Sequence, residues 1–239
     1  MPFWLLTIVG VLLTGISKSG LAGGAGVLAV PLMALYLPVP LAAAITLPLL
    51  WLMDAKTVYS YRDAIDTGLL WQLCPAACCG IAIGGLMLGK VSSEHLQWIL
   101  GLLSIVFACW QSLTKFLSRF AKAGFFWGGL AGVTSTLLHA GGPPLSIFLL
   151  GREVDKRQWL GTAACFFAIT NLLKAIPYTL NHQWSSEQWL LSVILLPVAW
   201  FGVMLGVWLA KRIDQQLFIK IARSMLGLAG CLLIYESLF

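Results

Sequence analysis

Apolar residues fill the chain in long runs at residues 3–17, 20–37, 40–58, 68–88, 96–114, 121–138, 142–150, 158–178, 188–209 and 217–238. The polar interruptions are short: Tyr59 to Thr67, Lys90 to His95, Lys115 to Lys122, Gly151 to Arg157, Thr179 to Glu187 and Ala210 to Gln216. A helix rises 1.5 Å per residue, so about 20 apolar residues cross roughly 30 Å of hydrocarbon. The runs 40–58, 68–88, 96–114, 158–178, 188–209 and 217–238 suit full crossings. The stretches 3–37 and 121–150 do not. Each is too long for one crossing and is interrupted by glycines, so each divides into two shorter helices.

The two interrupted stretches resemble one another. The first contains Gly15-Ile16-Ser17-Lys18-Ser19-Gly20-Leu21-Ala22-Gly23-Gly24-Ala25-Gly26. About 117 residues later comes Gly132-Val133-Thr134-Ser135-Thr136-Leu137-Leu138-His139-Ala140-Gly141-Gly142-Pro143-Pro144. Both are rich in small and hydroxyl residues, and both hold a Gly pair. The same offset carries Thr46 close to Thr162 and Asp54 onto Asn171. This is the pattern of a duplicated unit.

Lysine and arginine decide how those stretches sit in a bilayer, because they are retained in cytoplasmic loops. If both interrupted stretches cross twice, Arg62, Lys115, Arg119 and Lys122 oppose Lys90, Arg152, Lys156, Arg157, Lys211 and Arg212, which is no bias. If both are re-entrant hairpins, one side collects Arg62, Lys115, Arg119, Lys122, Arg152, Lys156, Arg157, Lys211 and Arg212, and the other keeps Lys90. The nine-to-one split favours hairpins. Each half then has an odd number of crossings, so the halves run in opposite senses. The expected fold is an all-α integral membrane protein. It is an inverted repeat of two halves, each a re-entrant helical hairpin plus three transmembrane helices. It forms a single membrane transport domain with repeats at 1–118 and 119–239 and both termini on the periplasmic side.

Composition excludes other classes. Of the 239 residues 59% are hydrophobic and 10% charged, with a mean hydropathy of +0.90, against about 25% charged in soluble domains. The formal charge of +6 follows from basic loops, and no nucleic-acid motif accompanies it. The apolar start, Pro2 to Ile16, lacks a basic leader region and a cleavage site, so it is expected to belong to the mature chain. Cys74, Cys78, Cys79, Cys109, Cys165 and Cys231 lie in apolar runs without metal-ligand spacing. They are expected to be small buried residues. No metal and no cofactor is expected.

Chemistry is expected at the hairpin tips, since irregular backbone at membrane depth is tolerated only where it is buried in protein or lines a cavity. A half-helix starts near Gly24 and another near Gly142, and Pro143 suits a first turn. Helix starts present free N–H groups and a partial positive charge, which favours an anion. The candidate anion-binding residues are Ser17, Lys18, Ser19, Gly23, Gly24, Ala25 and Gly26 at the first tip. At the second they are Thr134, Ser135, His139, Gly141, Gly142 and Pro143, with Thr136 as a further hydroxyl. Thr46, Asp54, Asn171 and Lys174 are candidate polar or coupling residues within the spans. Asp54, Lys56 and Lys174 sit late in their spans, where a long side chain can instead reach the headgroups. His139 could couple anion movement to protons.

The motif Ser19-Gly20-Leu21-Ala22-Gly23-Gly24-Ala25-Gly26-Val27-Leu28-Ala29-Val30-Pro31-Leu32, paired with Gly141-Gly142-Pro143-Pro144 in the second half, resembles the TauE/SafE family. The second tip departs from the family's Gly-rich pattern at Leu137-Leu138-His139 and at Pro-Pro. The resemblance implies a secondary transporter that exports a small sulfur-containing oxyanion, sulfite or an organosulfonate, across a bacterial inner membrane. Alternating access is the expected mechanism. The expected partners are the anionic substrate and the lipid bilayer, with no nucleic acid, and a homodimer is compatible with the sequence. Anion export is electrically downhill by about 2.3 kcal/mol per charge at 100 mV, so uniport can suffice. The rival readings are an anion channel and an intramembrane serine protease built on Ser17, Ser19 and His139.

Overall fold

The computed structural model describes residues 2–20, 28–109, 123–152, 154–209, 212 and 215–238. The expected tip residues Gly23, Gly24, Ala25 and Gly26 lie outside these, as do Lys115, Arg119, Lys122 and Lys211. The described helices are α1 Pro2–Gly20, α2 Ala29–Met33, α3 Val39–Tyr61, α4 Thr67–Met87 and α5 Ser93–Ala108, then α6 Gly124–Leu138, α7 Gly142–Leu150, α8 Lys156–Leu180, α9 Ser186–Leu209 and α10 Gln215–Leu238. A 3-10 turn, Arg62–Ala64, follows α3. Among the described residues, α1, α3 with its 3-10 turn, α4, α8 and α9 are long and apolar enough to cross a membrane.

Local chemistry explains several boundaries. Asp66 caps α4 by accepting the Leu69 amide at 3.0 Å. Asp155 caps α8 by accepting the amides of Arg157 and Gln158 at 2.8 Å each. Both satisfy donors that a helix start leaves free. Helix α6 ends at His139, which adopts the left-handed conformation at φ 53°. Its amide returns to Ser135 O and that of Ala140 to Thr134 O, the double closure that usually recruits glycine.

Proline shapes α3 from within. Pro48 has no amide to offer the Ala44 carbonyl, and its ring crowds that turn. The carbonyls of this turn take side-chain donors from the second half instead. Ala43 O meets His139 Nε2 at 3.0 Å, Ala44 O accepts Trp184 Nε1 at 3.2 Å, and Ile45 O accepts the Ser192 hydroxyl at 2.8 Å.

Glycines set the closest helix contacts. In α4 and α6, a Cβ on Gly80 would lie 2.1 Å from Gly129 O, and one on Gly132 would lie 2.4 Å from Ala77 O. In α1 and α9, a Cβ on Gly206 would lie 2.2 Å from Ser19 Oγ. The lipid-facing side is large and apolar, with Trp71, Leu86, Phe125, Leu172 and Leu180 exposed.

The helix directions follow from these contacts. Helix α3 runs antiparallel to α8, because Ala64 approaches Gly161 at one end while Trp51 meets Asn171 O farther along. Helix α1 returns through α2 to its starting end, where the rings of Phe3 and Tyr36 lie 6.2 Å apart. Helices α6 and α7 do likewise, with Phe148 against Gly124. The tip of α1 approaches the C-terminal part of α3, where Tyr61 Oη donates to Ser19 O at 2.8 Å. The tip of α6 approaches its N-terminal part, at Ala43.

Two expectations need correction. Helix α1 was expected to be a half-helix of about 15 residues, but it has 19 and continues through Ser17-Lys18-Ser19-Gly20. Ser19 Oγ donates to Gly15 O at 2.8 Å and to Val203 O at 3.0 Å, which holds that last turn against α9. The cysteines were expected to be buried, but Cys78, Cys79, Cys109 and Cys231 are exposed and Cys74 and Cys165 half-buried. In a bilayer an apolar thiol on the outer face faces lipid tails, so it needs no protein burial.

Candidate functional site

Helix α8 presents Phe167, Asn171, Lys174 and Tyr178 at spacings of three and four residues, so they share one face. This face meets the tips of both hairpins and the middle of α3. Asn171 Nδ2 donates to Asp54 Oδ2, and the other carboxylate oxygen of Asp54 is in a salt bridge with Lys18 Nζ. Lys18 also lies 5.2 Å above the Phe167 ring. Asp54 and Asn171, 117 residues apart in the repeat comparison, are thus direct partners. Trp51 Nε1 donates to Asn171 O at 2.8 Å.

One helical turn along α8, Lys174 is completely buried. Its Nζ lies 3.0 Å from Ser135 O, 3.0 Å from Ser135 Oγ and 3.0 Å from His139 Nδ1. The Ala43 carbonyl lies 3.0 Å from His139 Nε2 and can only accept, so Nε2 carries a proton. Nδ1 lies 3.0 Å from both Ser135 O and Lys174 Nζ, and in the neutral ring its lone pair accepts from Lys174, which bridges it to Ser135 O. Tyr178 stacks on His139 with centroids 6.1 Å apart and donates its hydroxyl hydrogen to Thr136 O at 2.8 Å. Trp51, Trp184, Trp189 and Tyr178 form an aromatic group beside the cluster, with centroids 5.5 to 6.4 Å apart.

The cluster holds two lysines and one carboxylate, all inside the protein. A buried charge is costly unless it is paired. Lys18 is paired by Asp54, whereas the hydrogen-bond partners of Lys174 are neutral. Ser17, beside Lys18, is buried, and its hydroxyl has no hydrogen-bond partner among the described residues. The cluster itself holds one more basic side chain than carboxylate, which suits a negatively charged guest.

Of the remaining candidates, several lie elsewhere. The Ser19 hydroxyl is spent against α9. Thr134 is half-buried and bonds back to Leu130 O at 2.8 Å, and Thr136 bonds back to Gly132 O at 2.8 Å beside Gly84 of α4. Thr46 is buried in the core and donates to Ala42 O at 2.7 Å, while Thr162 accepts the Asp66 amide at 3.0 Å. Lys56 is half-buried and lies over the rings of Tyr59 and Trp200. Gly141 packs on Ser135 and Ala131. Gly142, Pro143 and Pro144 form the first turn of α7. Two consecutive prolines remove two of the free amides a helix start presents. The second tip is thus poorer in backbone donors than expected, and the side chains of Ser135, His139 and Lys174 carry its polarity.

Sequence reasoning placed Lys174 at the edge of its span and gave no role to Phe167, Trp51 or Tyr178. The signal was available in the 167/171/174/178 spacing, which puts an amide, an amine and a phenol on one helical stripe.

Residues 6–233 match the family model described as Sulfite exporter TauE/SafE. The chain belongs to that family. A 115-residue stretch is 32% identical to "Probable membrane transporter protein YunE" of Bacillus subtilis (strain 168), covering 48% of this chain and 39% of that relative. The chain therefore aligns with well under half of the relative's length. No solved structure matches. The family is named for an exporter and the relative for a probable membrane transporter, neither for an enzyme, and this TauE/SafE chain has several helices able to cross a membrane. The geometry of His139 agrees, because its ring nitrogens face Ser135 O, Ala43 O and Lys174 Nζ rather than the Ser17 or Ser19 hydroxyl.

Proposed function

We propose that the protein carries a small sulfur-containing oxyanion, sulfite or an organosulfonate, across the bacterial inner membrane by alternating access. The anion binds in the cluster of Lys18, Asp54, Asn171, Lys174, Ser135 and His139, with Ser17 as a further donor. The observation that carries this reading is the pair of buried lysines set against one buried carboxylate. The sulfur in the substrate rests on the family's name, and its charge rests on the site.

The proposed architecture is an inverted repeat, 1–118 and 119–239, with re-entrant hairpins α1–α2 and α6–α7. The antiparallel α3 and α8 support it, as do hairpin tips that approach α3 from opposite ends. The basic end also supports it. Arg62, Arg152 and Arg157 gather where α3 ends and α8 begins, with Arg157 on Asp63 and Arg152 on Gln72. Lys90, beyond α4, lies at the opposite end. The basic end is proposed to face the cytoplasm, so both chain ends face the periplasm. Two halves joined at a central site can rock to expose it to either face.

The test is a thermal-stability screen of the purified protein with sulfite, sulfoacetate, thiosulfate, sulfate and acetate. Sulfite or sulfoacetate is expected to raise the unfolding temperature, and the rise is expected to vanish in Lys174→Ala. A panel in which no oxyanion stabilises the protein counts against the proposal.

A further inference from the structure

We infer that Lys174 takes up one proton with each anion the site binds, so that the transporter moves the anion and a proton together. This rests on the proposed function and adds the coupling ion to it.

The argument begins with what surrounds Lys174. Its Nζ touches Ser135 O, Ser135 Oγ and His139 Nδ1, each at 3.0 Å, and it has no exposure to solvent. None of these partners is anionic. The nearest carboxylate, Asp54, is engaged on one oxygen by Lys18 and on the other by Asn171. Helix α4 adds no charged side chain, and the acidic residue of α9, Glu187, sits at its exposed start. A lone ammonium in such a place is strongly disfavoured, and a buried group relieves that cost by giving up its proton.

The three contacts fit a neutral amine without rearrangement. As NH2, Lys174 donates to Ser135 O and His139 Nδ1, and its lone pair accepts the Ser135 hydroxyl hydrogen. As NH3+, it donates to all three, and the Ser135 hydroxyl hydrogen is freed to point at a guest. An anion entering beside Lys174 supplies the missing counter-charge. The balance is R–NH2 + H+ + A− giving R–NH3+ paired with A−, with no bond to carbon or sulfur altered. A proton held on His139 Nδ1 instead would meet Ser135 O and the Lys174 nitrogen, each at 3.0 Å, so the Lys174 variant below is what tells the two stores apart. Lys18 is neutralised by Asp54, so the empty site is electrically balanced, and so is the site holding a monoanion and a proton. Transport of a monoanion is then electroneutral. The pH gradient acts on it and the membrane potential does not, so with an acidic periplasm outward movement is driven by the anion's own gradient rather than by the potential.

Proton uptake is read by titration calorimetry on the purified full chain in two buffers of different ionisation heat. The probes are sulfite at pH 9, where it is fully deprotonated, and methanesulfonate, which holds no proton at any working pH. The expected result is one proton taken up per anion bound. Lys174→Arg, which holds its charge permanently, is expected to bind with no proton uptake, and the wild-type measurement stands alone if that variant fails to fold. Binding with zero protons in the wild type overturns the coupling and leaves the anion reading intact. Failure of both probes to bind overturns the anion reading and the coupling with it.

Discussion

Asp54 neutralises one of two lysines while sitting between the first hairpin and α8, so its removal acts on fold and function separately. Deleting one member of a buried ion pair leaves an uncompensated charge and typically costs about 3–5 kcal/mol, whereas replacing the pair with apolar residues is often neutral. Asp54→Ala is therefore expected to lower stability by that order in thermal unfolding. The double variant Lys18→Met with Asp54→Leu is expected to recover most of it and still fail to bind anion. A double variant no more stable than the single one would show that the pair is not the coupled unit described. At this scale Lys18, Asp54, Ser135, His139, Asn171 and Lys174 stood out in the sequence as polar residues in or beside apolar runs. The depth of Lys174 was not legible, because it depends on how α8 tilts and on what covers it. Distance from a span's end along the sequence does not report either.

At the scale of elements, bare backbone fixes how close the helices approach. Gly132 lies against Ala77 O, and Gly80 against Gly129 O, on the contact between α4 and α6. Gly132→Val places carbon where a carbonyl already sits and must push α6 away from α4. It is expected to cost several kcal/mol, in the upper range of overpacking, and to be seen as loss of a monodisperse peak in size-exclusion chromatography. Gly89 has φ +76° but no atom within 4 Å of the added carbon, so Gly89→Asn, a residue that tolerates the left-handed region, is expected to leave the peak unchanged. Helix bounds were largely legible: the runs at 40, 68, 158 and 188 correspond to helices that begin at Val39, Thr67, Lys156 and Ser186. Polar interruptions set those bounds, so the apolar pattern reports them. The end of α1 was not legible. Ser19 looks like a helix breaker in sequence, but it satisfies its hydroxyl on Gly15 O and Val203 O, and the latter partner comes from the other half of the chain.

Over the whole molecule, α3 and α8 pack on one another and are tied at the basic end by Arg157 on Asp63. That tie is open to water, so breaking it costs little, which suits the proposed alternating access. The opposite end is held by Trp184 on Ala44 O and by Asn181 on Gly85 O at 3.1 Å. A reporter fused after Phe239 is expected to be active only in its periplasmic form, and cytoplasmic activity would reverse the proposed orientation. The proposed duplication rests on two small-residue motifs at one offset. The proposed opposite sense of the copies rests on loop charge, since motif likeness carries no direction across a membrane.

The central claim is that a small oxyanion is carried at the Lys18–Asp54–Asn171–Lys174 cluster. The most direct measurement is counterflow of radiolabelled sulfite into proteoliposomes preloaded with unlabelled sulfite. Wild-type protein is expected to give uptake well above protein-free liposomes, and Lys174→Ala is expected to fall to that background while remaining monodisperse. Equal uptake by wild type and a folded Lys174→Ala, or uptake that preloading does not stimulate, would contradict a carrier built on this site.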